Sequence, residues 1–400
     1  MKKIYVAVTA GLLAVAAFSI AADSPKKIEL PPPFHTKSST NRAQVIPRPD
    51  GAQLTLPPEF KIEEYATGGF ERPRFMLAAP GGEILLSDTV PNGTVFVLTD
   101  KKKAFKADEE RKKLITGLDR PYGMAWWKDY LYVAEATSVK RYKFDKAAVT
   151  VGAGEEVVSL KDFGKGHTTR SILFDKKGQK MYITVGSESN VAPGEDPHRA
   201  AINRYNPDGS GHEIHASGVR NVIGFRYYPG TEDMWAAVQE RDGLGDDLVP
   251  DYFTKIKKGG FYGWPYSYIG PNEDPRNKDM KPELVKSTIT PDLPLGAHVA
   301  VLDALFYTGK QFPAKYRGGA FLALHGSWNR SMRVGYSVVF IPFKNKMPAG
   351  DKEDFLNGWM LAPDKREVWG RPVGLFQLPD GSLLVSEDGG NKIWRISYKG

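Results

Sequence analysis

Residues 371–387 read RPVGLFQLPDGSLLVSE, and this stretch decides the fold. An Arg-Pro opening leads into a short apolar strand, a Pro-Asp-Gly turn and a second apolar strand. Such strands either side of a tight turn form an antiparallel hairpin. The unit recurs along the chain. Arg72-Pro73 leads into FMLAAPGGEILLSDT, Arg120-Pro121 into YGMAWWKDYLYVAEA, Arg170 into SILFDKKGQKMYITVGS, and Arg220-Asn221 into VIGFRYYPGTEDMWAAVQE. The first four of these arginines stand 48, 50 and 50 residues apart. A third strand often follows, as VFVLT, VKRYKF, INRYN and KIWRISY.

A period of this length made of short strands predicts a β-propeller. Openings near residues 72, 120, 170, 220, 298 and 371 count six blades. The expected fold is therefore all-β, a six-bladed propeller with four-stranded antiparallel blades over residues 59–400. The unit near His298 is the least regular, and an insertion rich in Gly, Pro and aromatics (residues 242–270) precedes it. A pair of sandwiches or a β-helix fits the long period and the hairpin-plus-strand unit less well. No amphipathic helix of useful length is expected.

The N-terminus has its own pattern. Met1-Lys2-Lys3 precedes an apolar run from Ile4 to Ala17, and Ser19-Ile20-Ala21 supplies small residues before polar Asp23. Residues 1–22 read as a secretory signal peptide, which places the mature chain in the periplasm or outside the cell. The run is short for a bilayer span and no other segment could cross, so no transmembrane segment is expected after cleavage. Residues 23–58, with Pro31-Pro32-Pro33, read as an extended, loosely ordered lead-in.

Composition excludes whole chemistries. With no Cys there is no disulfide framework, thiolate nucleophile, Cys-ligated zinc, iron–sulfur cluster or attached c-type haem. The 55 Lys+Arg and 47 Asp+Glu are interspersed, so the net +8 implies no nucleic-acid partner. The chain has no Walker sequence, no nucleophile elbow and no Gly-rich dinucleotide turn opening a helix, so ATP, serine-hydrolase and nicotinamide chemistries lack support.

Propellers carry function on loops at one mouth of the central channel. The residues before each first strand should line that mouth: Arg72, Arg120, His167, Arg170, Arg220, Asn221, His298 and Arg371. Guanidinium groups gathered on one cavity repel unless they meet an anion, and their forks suit carboxylates or phosphates. Each one taken singly also fits a tether to a neighbouring blade. His167, in the Gly-rich loop GKGHTTR, is a candidate general base, and His325 in HGSWNR is a second. His198, His212 and His215 look ordinary. The acidic loop Glu240–Asp247 suits either a hard cation such as calcium or plain solvation, and its spacing is not that of an EF-hand.

Several segments together resemble the soluble pyrroloquinoline quinone (PQQ)-dependent sugar dehydrogenases, the glucose/sorbosone dehydrogenase family, and within it the L-sorbosone dehydrogenase-like branch. They are GLDRPYGMAW, GHTTRSILFDKKGQKMYITVGSESNV, ASGVRNVIGF, ERDGLGDDLVPDYFTKIKKGGFYGWPYSY, YRGGAFLALHGSWNRS, GYSVVFIPF and GRPVGLFQLPDGSLLVSEDGGNKIWRI, from about Leu118 to the C-terminus. HTTR…VGSxSN, ERDGLGDD and FYGWPYS are the distinctive ones. The resemblance implies PQQ across the channel mouth, with carboxylates for the arginines to meet. It makes His167 the catalytic base and Arg220-Asn221 a pair facing cofactor and substrate. Gly243 and Leu244 supply backbone carbonyls to a calcium ion. Arg371 and Arg120 bind cofactor, and Arg330 or Asn329 falls where the glucose-oxidising members place a lysine. Those members orient the base with an Asp, where this chain has Gly186-Ser187 followed by Glu188. Ser can fix a tautomer but cannot stabilise an imidazolium by charge, and strand alternation turns Glu188 away.

The implied function is oxidation of an aldose or sugar aldehyde to a lactone or acid, with electrons leaving to a separate cytochrome or quinone. Two other readings remain at this stage. One is a non-catalytic propeller that binds an anionic carbohydrate or peptide at its mouth. The other is a calcium-dependent lactonase, which would need several carboxylates converging on the metal.

Overall fold

The computed structural model describes Met1 and residues 28–400. Residues 2–27, which hold most of the expected export segment and the start of the lead-in, lie outside the described residues. Six antiparallel sheets follow one another along the chain. Blade one contains Pro73–Ala78, Ile84–Asp88, Gly93–Leu98 and Lys112–Leu118. Blade two contains Met124–Trp127, Tyr130–Ala134 and Ser138–Asp145, with its outer edge split between Thr150–Val151 and Glu155–Ser159. Blade three runs Ile172–Phe174, Met181–Val185, Ala201–Tyr205 and Glu213–Ser217. The insertion adds a fifth, parallel strand to it at Gly260–Phe261. Blade four contains Asn221–Tyr227, Met234–Gln239, Pro250–Lys255 and Leu293–Ala297. Blade five contains Val301–Phe306, Ala320–Leu324, Ser337–Ile341 and Glu353–Leu356.

Blade six closes the ring. Pro372–Gln377, Leu383–Glu387 and Lys392–Tyr398 come from the C-terminus, and the outer strand, Phe60–Thr67, comes from the N-terminal side. The six-bladed expectation holds, and the four-stranded one holds for blades one, four, five and six. Among the described residues the single α-helix is Pro282–Lys286, between the insertion and the last strand of blade four.

The first strand of each blade is the innermost. Phe75, Tyr122, Ile223, Leu302 and Val373, from five different blades, meet in one apolar cluster, and Tyr122 donates its hydroxyl to the Leu302 carbonyl at 3.0 Å. Aromatic bulk thus fills the axis below the mouth. The inner strands run close. A Cβ on Gly224 would stand 2.7 Å from the Ala304 nitrogen, and one on Gly123 would stand 2.8 Å from the Arg170 carbonyl oxygen. Glycine at these positions lets one backbone pass another.

A second device recurs at the end of the second strand in blades one, two and six. Asp88 accepts the amides of Glu71 and Arg72, Glu135 accepts that of Asp119, and Glu387 accepts that of Arg371. A carboxylate there fastens the opening segment of its own blade.

Pro31–Gly400 is one unit, and Met1–Leu30 separates from it. The described lead-in is extended, as its prolines dictate, but it is tied down rather than loose. Gln44–Val45 pairs in parallel with Glu367–Val368, and Thr55 bridges to Asn357.

Replacing Gly224 with Ala forces a methyl group onto the backbone of the next blade. We expect a loss of about 2–3 kcal/mol in urea unfolding, the usual scale of core overpacking. A loss below about 0.5 kcal/mol would show that the close approach carries no weight.

Candidate functional site

In an antiparallel blade, the loop before strand one and the loop after strand two lie at the same end. The carboxylate-to-amide contacts described above join these two loops directly. The opening positions therefore share one mouth with Ser187–Asn190, Glu240–Asp247, His325–Arg333 and Asp388.

His167 lies half-buried on the opening loop of blade three. Arg170, fully buried, holds that loop by donating to the carbonyls of His167 (2.6 Å), Thr169 (3.1 Å) and Phe163. Arg170 is therefore a tether and does not face a ligand. The backbone amide and Nδ1 of His167 both donate to the Ser187 carbonyl, at 3.1 and 2.7 Å. A carbonyl can only accept, so Nδ1 carries the hydrogen and the lone pair is on Nε2. The Ser187 backbone thus does what its side chain was expected to do. Ser187 Oγ lies 3.2 Å from Nδ1 and donates to the Ser189 carbonyl at 2.7 Å. Glu188 is exposed and turned toward Arg199 at 3.5 Å, but it lies three residues beyond the strand Met181–Val185, so the loop and not strand alternation turns it away. Burial pushes the His167 imidazole down to about 4, and the Arg220 charge adds to the effect.

Arg220 is buried beside it. It donates to the Glu240 carbonyl at 2.7 Å, to Asn190 Oδ1 at 3.1 Å and to the Asn190 carbonyl at 3.3 Å, and it lies 3.4 Å from Asp242 Oδ2. Asn190 Oδ1 also accepts the Asp242 amide, and Asn190 Nδ2 donates back to the Asp242 carbonyl, both at 2.9 Å. One asparagine thus locks the base loop to the acidic loop. Asn221 donates to Gln239 at 3.0 Å, while its buried Oδ1 has no partner among the described residues. A Cβ on Gly186 would stand 2.5 Å from that oxygen and 2.6 Å from the His167 Cβ, so Gly186 lets the two functional side chains close up.

The other expected residues divide. Arg371 donates to the carbonyls of His325 (3.3 Å) and Gly326 (3.1 Å) on the next loop of the mouth. Arg120 pairs with its neighbour Asp119 at 2.5 Å, and Arg72 is exposed. Arg330 is turned away onto the Asp246 carbonyl (2.6 Å) and Asp247 (2.7 Å), so the structure does not bring it to the cluster. Asn329 joins it instead, donating to Asp242 and lying 3.0 Å from His298 Nδ1. His298 donates from Nε2 to the Gly245 carbonyl at 2.9 Å. Burial alone would lower the His298 imidazole, but Asp242 and the Gly245 carbonyl hold it above the ordinary range. Gly243 is exposed at a φ of 91°. The Leu244 carbonyl accepts the Phe34 amide at 2.8 Å. Among the described residues, no three His, Cys, Asp or Glu converge on a metal position.

His325 has a firmer partner than its sequence suggested. Its Nε2 lies 2.7 Å from Asp388, which Arg74 also contacts at 2.6 Å. Burial, then Arg371, pushes this imidazole down to about 4. Burial would raise the Asp388 carboxyl, but His325, Arg74 and Arg371 hold it well below the usual range. Asn190, Asp242 and Asp388 were not singled out from the sequence. Asn190 ends the VGSxSN motif and Asp242 sits in ERDGLGDD, so the signal for both was already in hand.

A polyanion fits this mouth. Burial does most to lower His167 and His325, and Arg220 and Arg371 add to it; both guanidinium groups stand at the mouth. A buried acceptor, Asn221 Oδ1, awaits a donor. The fit is weaker for a cation, because one lone pair of the Leu244 carbonyl is taken and Asp242 is already paired.

A family model described as TrAA12-like matches residues 54–249 and 269–399. An uncharacterized protein of Borreliella burgdorferi is 30% identical over 373 residues, which is 86% of this chain and 91% of its own length. Among solved structures, an AA12-family carbohydrate-active enzyme of Trichoderma reesei matches with a TM-score of 0.73 at 20% identity, covering 90% of this chain and 100% of that one. The PQQ domain of a pyranose dehydrogenase from Coprinopsis cinerea matches with 0.72 at 19%, covering 88% and 98%. The PQQ-bound aldose sugar dehydrogenase of Streptomyces coelicolor matches with 0.58 at 18%, covering 86% and 99%. At these identities the structural likeness is one of fold.

The histidines give a pH test. A folded-state imidazole near 4 disfavours the charged form, so below about 6.5 the folded chain binds fewer protons at these sites than the unfolded chain. Each site therefore draws stability down as pH falls from 6.5 through about 4. In long-range 1H–15N spectra, His167 and His325 should still be neutral at about pH 5.5. Midpoints near 6.5 for both would contradict the burial of the two imidazoles beside Arg220 and Arg371.

Proposed function

We propose a function from one premise: the chain belongs to the TrAA12-like family. The function is that of a PQQ-dependent oxidoreductase acting on a sugar or sugar aldehyde. The observation that carries it is His167, neutral, with Nδ1–H fixed on the Ser187 carbonyl and its basic Nε2 left for a substrate beside Arg220. When bound, the quinone would supply a two-electron acceptor, which a chain without Cys or an attached haem does not carry itself. Arg220 and Arg371 would meet its carboxylates, whereas Arg120 is taken up by Asp119, and the unpartnered Asn221 Oδ1 would take a donor from cofactor or substrate.

His167 removes the hydroxyl proton as the substrate's C–H hydride departs. A low proton affinity in the resting state keeps Nε2 free for that task. Arg220 cannot drift, because Asn190, Glu240 and Asp242 fix its fork, and so it offers a preorganised positive charge beside the base. We include calcium only as a cation held by the Gly243 carbonyl, the second lone pair of Leu244 and the cofactor's own oxygens. No step depends on it. The L-sorbosone-like substrate, the separate cytochrome or quinone acceptor and an exported, periplasmic or secreted location complete the proposal. No helix among the described residues is long and apolar enough to cross a membrane.

The test is reconstitution with PQQ, with and without calcium, and dye reduction over a panel of aldoses and sugar aldehydes. Turnover is expected with PQQ alone or with both. The His167→Ala variant should keep the cofactor and lose at least about a hundredfold in kcat, the usual scale of general-base removal. If His167→Ala retains full turnover, the assigned role is wrong. If the wild type shows no cofactor spectrum and no dye reduction, the mouth is a binding site for an anionic carbohydrate or peptide instead.

A further inference from the structure

The lead-in does more than close a sheet. From Pro31 it runs over the two loops that carry the acidic half of the mouth. The Phe34 amide donates to the Leu244 carbonyl at 2.8 Å. Thr36 Oγ1 accepts the Asp246 amide at 2.7 Å. The backbone is so close there that a Cβ on Gly245 would stand 2.8 Å from the Thr36 carbonyl oxygen and 2.8 Å from its hydroxyl. Gly245, at a φ of 116°, is where the acidic turn accommodates the lead-in.

Further along, the Asn41 amide donates to the Trp328 carbonyl at 2.7 Å, and its Nδ2 donates to the carbonyls of Ser331 (2.9 Å) and Arg330 (3.1 Å). Arg333, buried, returns two bonds to Asn41, to its carbonyl at 2.7 Å and to Oδ1 at 2.6 Å. The two loops also hold each other, because Asp246 accepts the Ser331 amide at 3.0 Å and the Ser331 hydroxyl. Thr36 and Asn41 thus act on one connected body. That body ends in working groups. The Gly245 carbonyl orients His298, and Asn329 and His298 flank Asp242, which touches Arg220.

We propose that Thr36 and Asn41 are positioning residues for the anion-binding mouth, and that residues 34–42 set the Gly243–Asp247 turn and thereby Asp242 against Arg220. The ligand in this proposal rests on the functional reading above; the positioning itself does not. Neither residue touches substrate or cofactor. Thr36 acts through the Asp246 amide of a turn that is exposed at Gly243 and Asp247, and Asn41 through carbonyls of the loop bonded to it. Two peptide groups of the turn, those of Leu244 and Asp246, have partners supplied by the lead-in, and so the turn's shape is imposed rather than intrinsic.

The experiment uses the full chain with Thr36→Val, which keeps volume and removes the hydroxyl, and Thr36→Ser, which restores it. Two measurements are made. Hydrogen exchange by mass spectrometry follows peptides spanning 240–250 and 325–335, with 181–185 in blade three as the internal control. PQQ binding is followed by quenching of tryptophan fluorescence. In Thr36→Val we expect faster exchange confined to the two loops and a PQQ dissociation constant raised about fivefold to tenfold, the size of one net hydrogen bond. Thr36→Ser should recover both. Asn41→Ala should show the same local pattern, more strongly at 325–335. Unchanged exchange in both loops and unchanged affinity would overturn the proposal. So would a uniform rise in exchange that includes the control, because that reports global destabilisation. If exchange behaves as expected but the wild type binds no PQQ, the positioning role stands and the functional reading fails.

Discussion

The pairing of Phe60–Thr67 with Lys392–Tyr398 is the contact on which everything else depends. Each blade is a small sheet with two faces to cover, and only a closed ring covers them all. The pairing joins the two ends of the propeller, so the six openings face one axis. Closure in turn forces inner strands close together, which is why Gly123 and Gly224 sit where a methyl group would strike backbone. The filled axis follows from the same geometry. Five inner strands deliver Phe75, Tyr122, Ile223, Leu302 and Val373 to one place, so the mouth becomes a floored bowl rather than a pore.

On that floor the charges are ordered rather than gathered. A ring of like charges would cost too much to maintain, and the structure does not maintain one. Arg170 is sealed into carbonyls, Arg330 is paired with Asp247, and Arg120 is paired with Asp119. Arg220 and Arg371 remain at the mouth, each fixed by backbone carbonyls that do not cancel its charge. A fixed charge with neutral partners projects its field, which adds to burial in lowering His167 and His325. Asp242 is the exception. It moderates Arg220 without neutralising the region, since Asn329 and His298 share its oxygens.

The fold was legible because its signal is periodic. The hairpin at 371–387 announces itself again at about fifty-residue intervals. Blades two and three depart from four strands at their outer edges, where Thr150–Val151 and Glu155–Ser159 pair separately with Ser138–Asp145 and the insertion adds Gly260–Phe261. His167, Arg220 and Asn221 could be found because each stands at a blade opening. Asn190, Asp242 and Asp388 follow second strands, where a carboxylate or amide looks like ordinary turn chemistry. Which arginines face the ligand was not legible. Arg170 and Arg220 occupy equivalent openings, and only their partners, three carbonyls of its own loop for one and Asn190 with Asp242 for the other, set them apart. The lead-in hid its role for another reason: its bonds are mostly to backbone groups, which no sequence pattern displays.

The loss of a carboxylate behind His167 now has a physical reading. An Asp on Nδ1 would raise the imidazole and stabilise its charged form. The Ser187 carbonyl holds the same tautomer with a dipole, so the resting base stays neutral over a wider acid range. That leaves the imidazolium formed during proton removal without a covalently near counter-charge. The compensation has to come from the mouth itself. An anion seated against Arg220 would offset the Arg220 share of the depression, while burial, its larger cause, stays, and Asp242 already acts upward on the same imidazole. Proton affinity at Nε2 would therefore rise when the anionic ligand is in place, which is when a base is needed. Under the proposed function, an anion seated at the mouth would shift the imidazole as well as bind beside it.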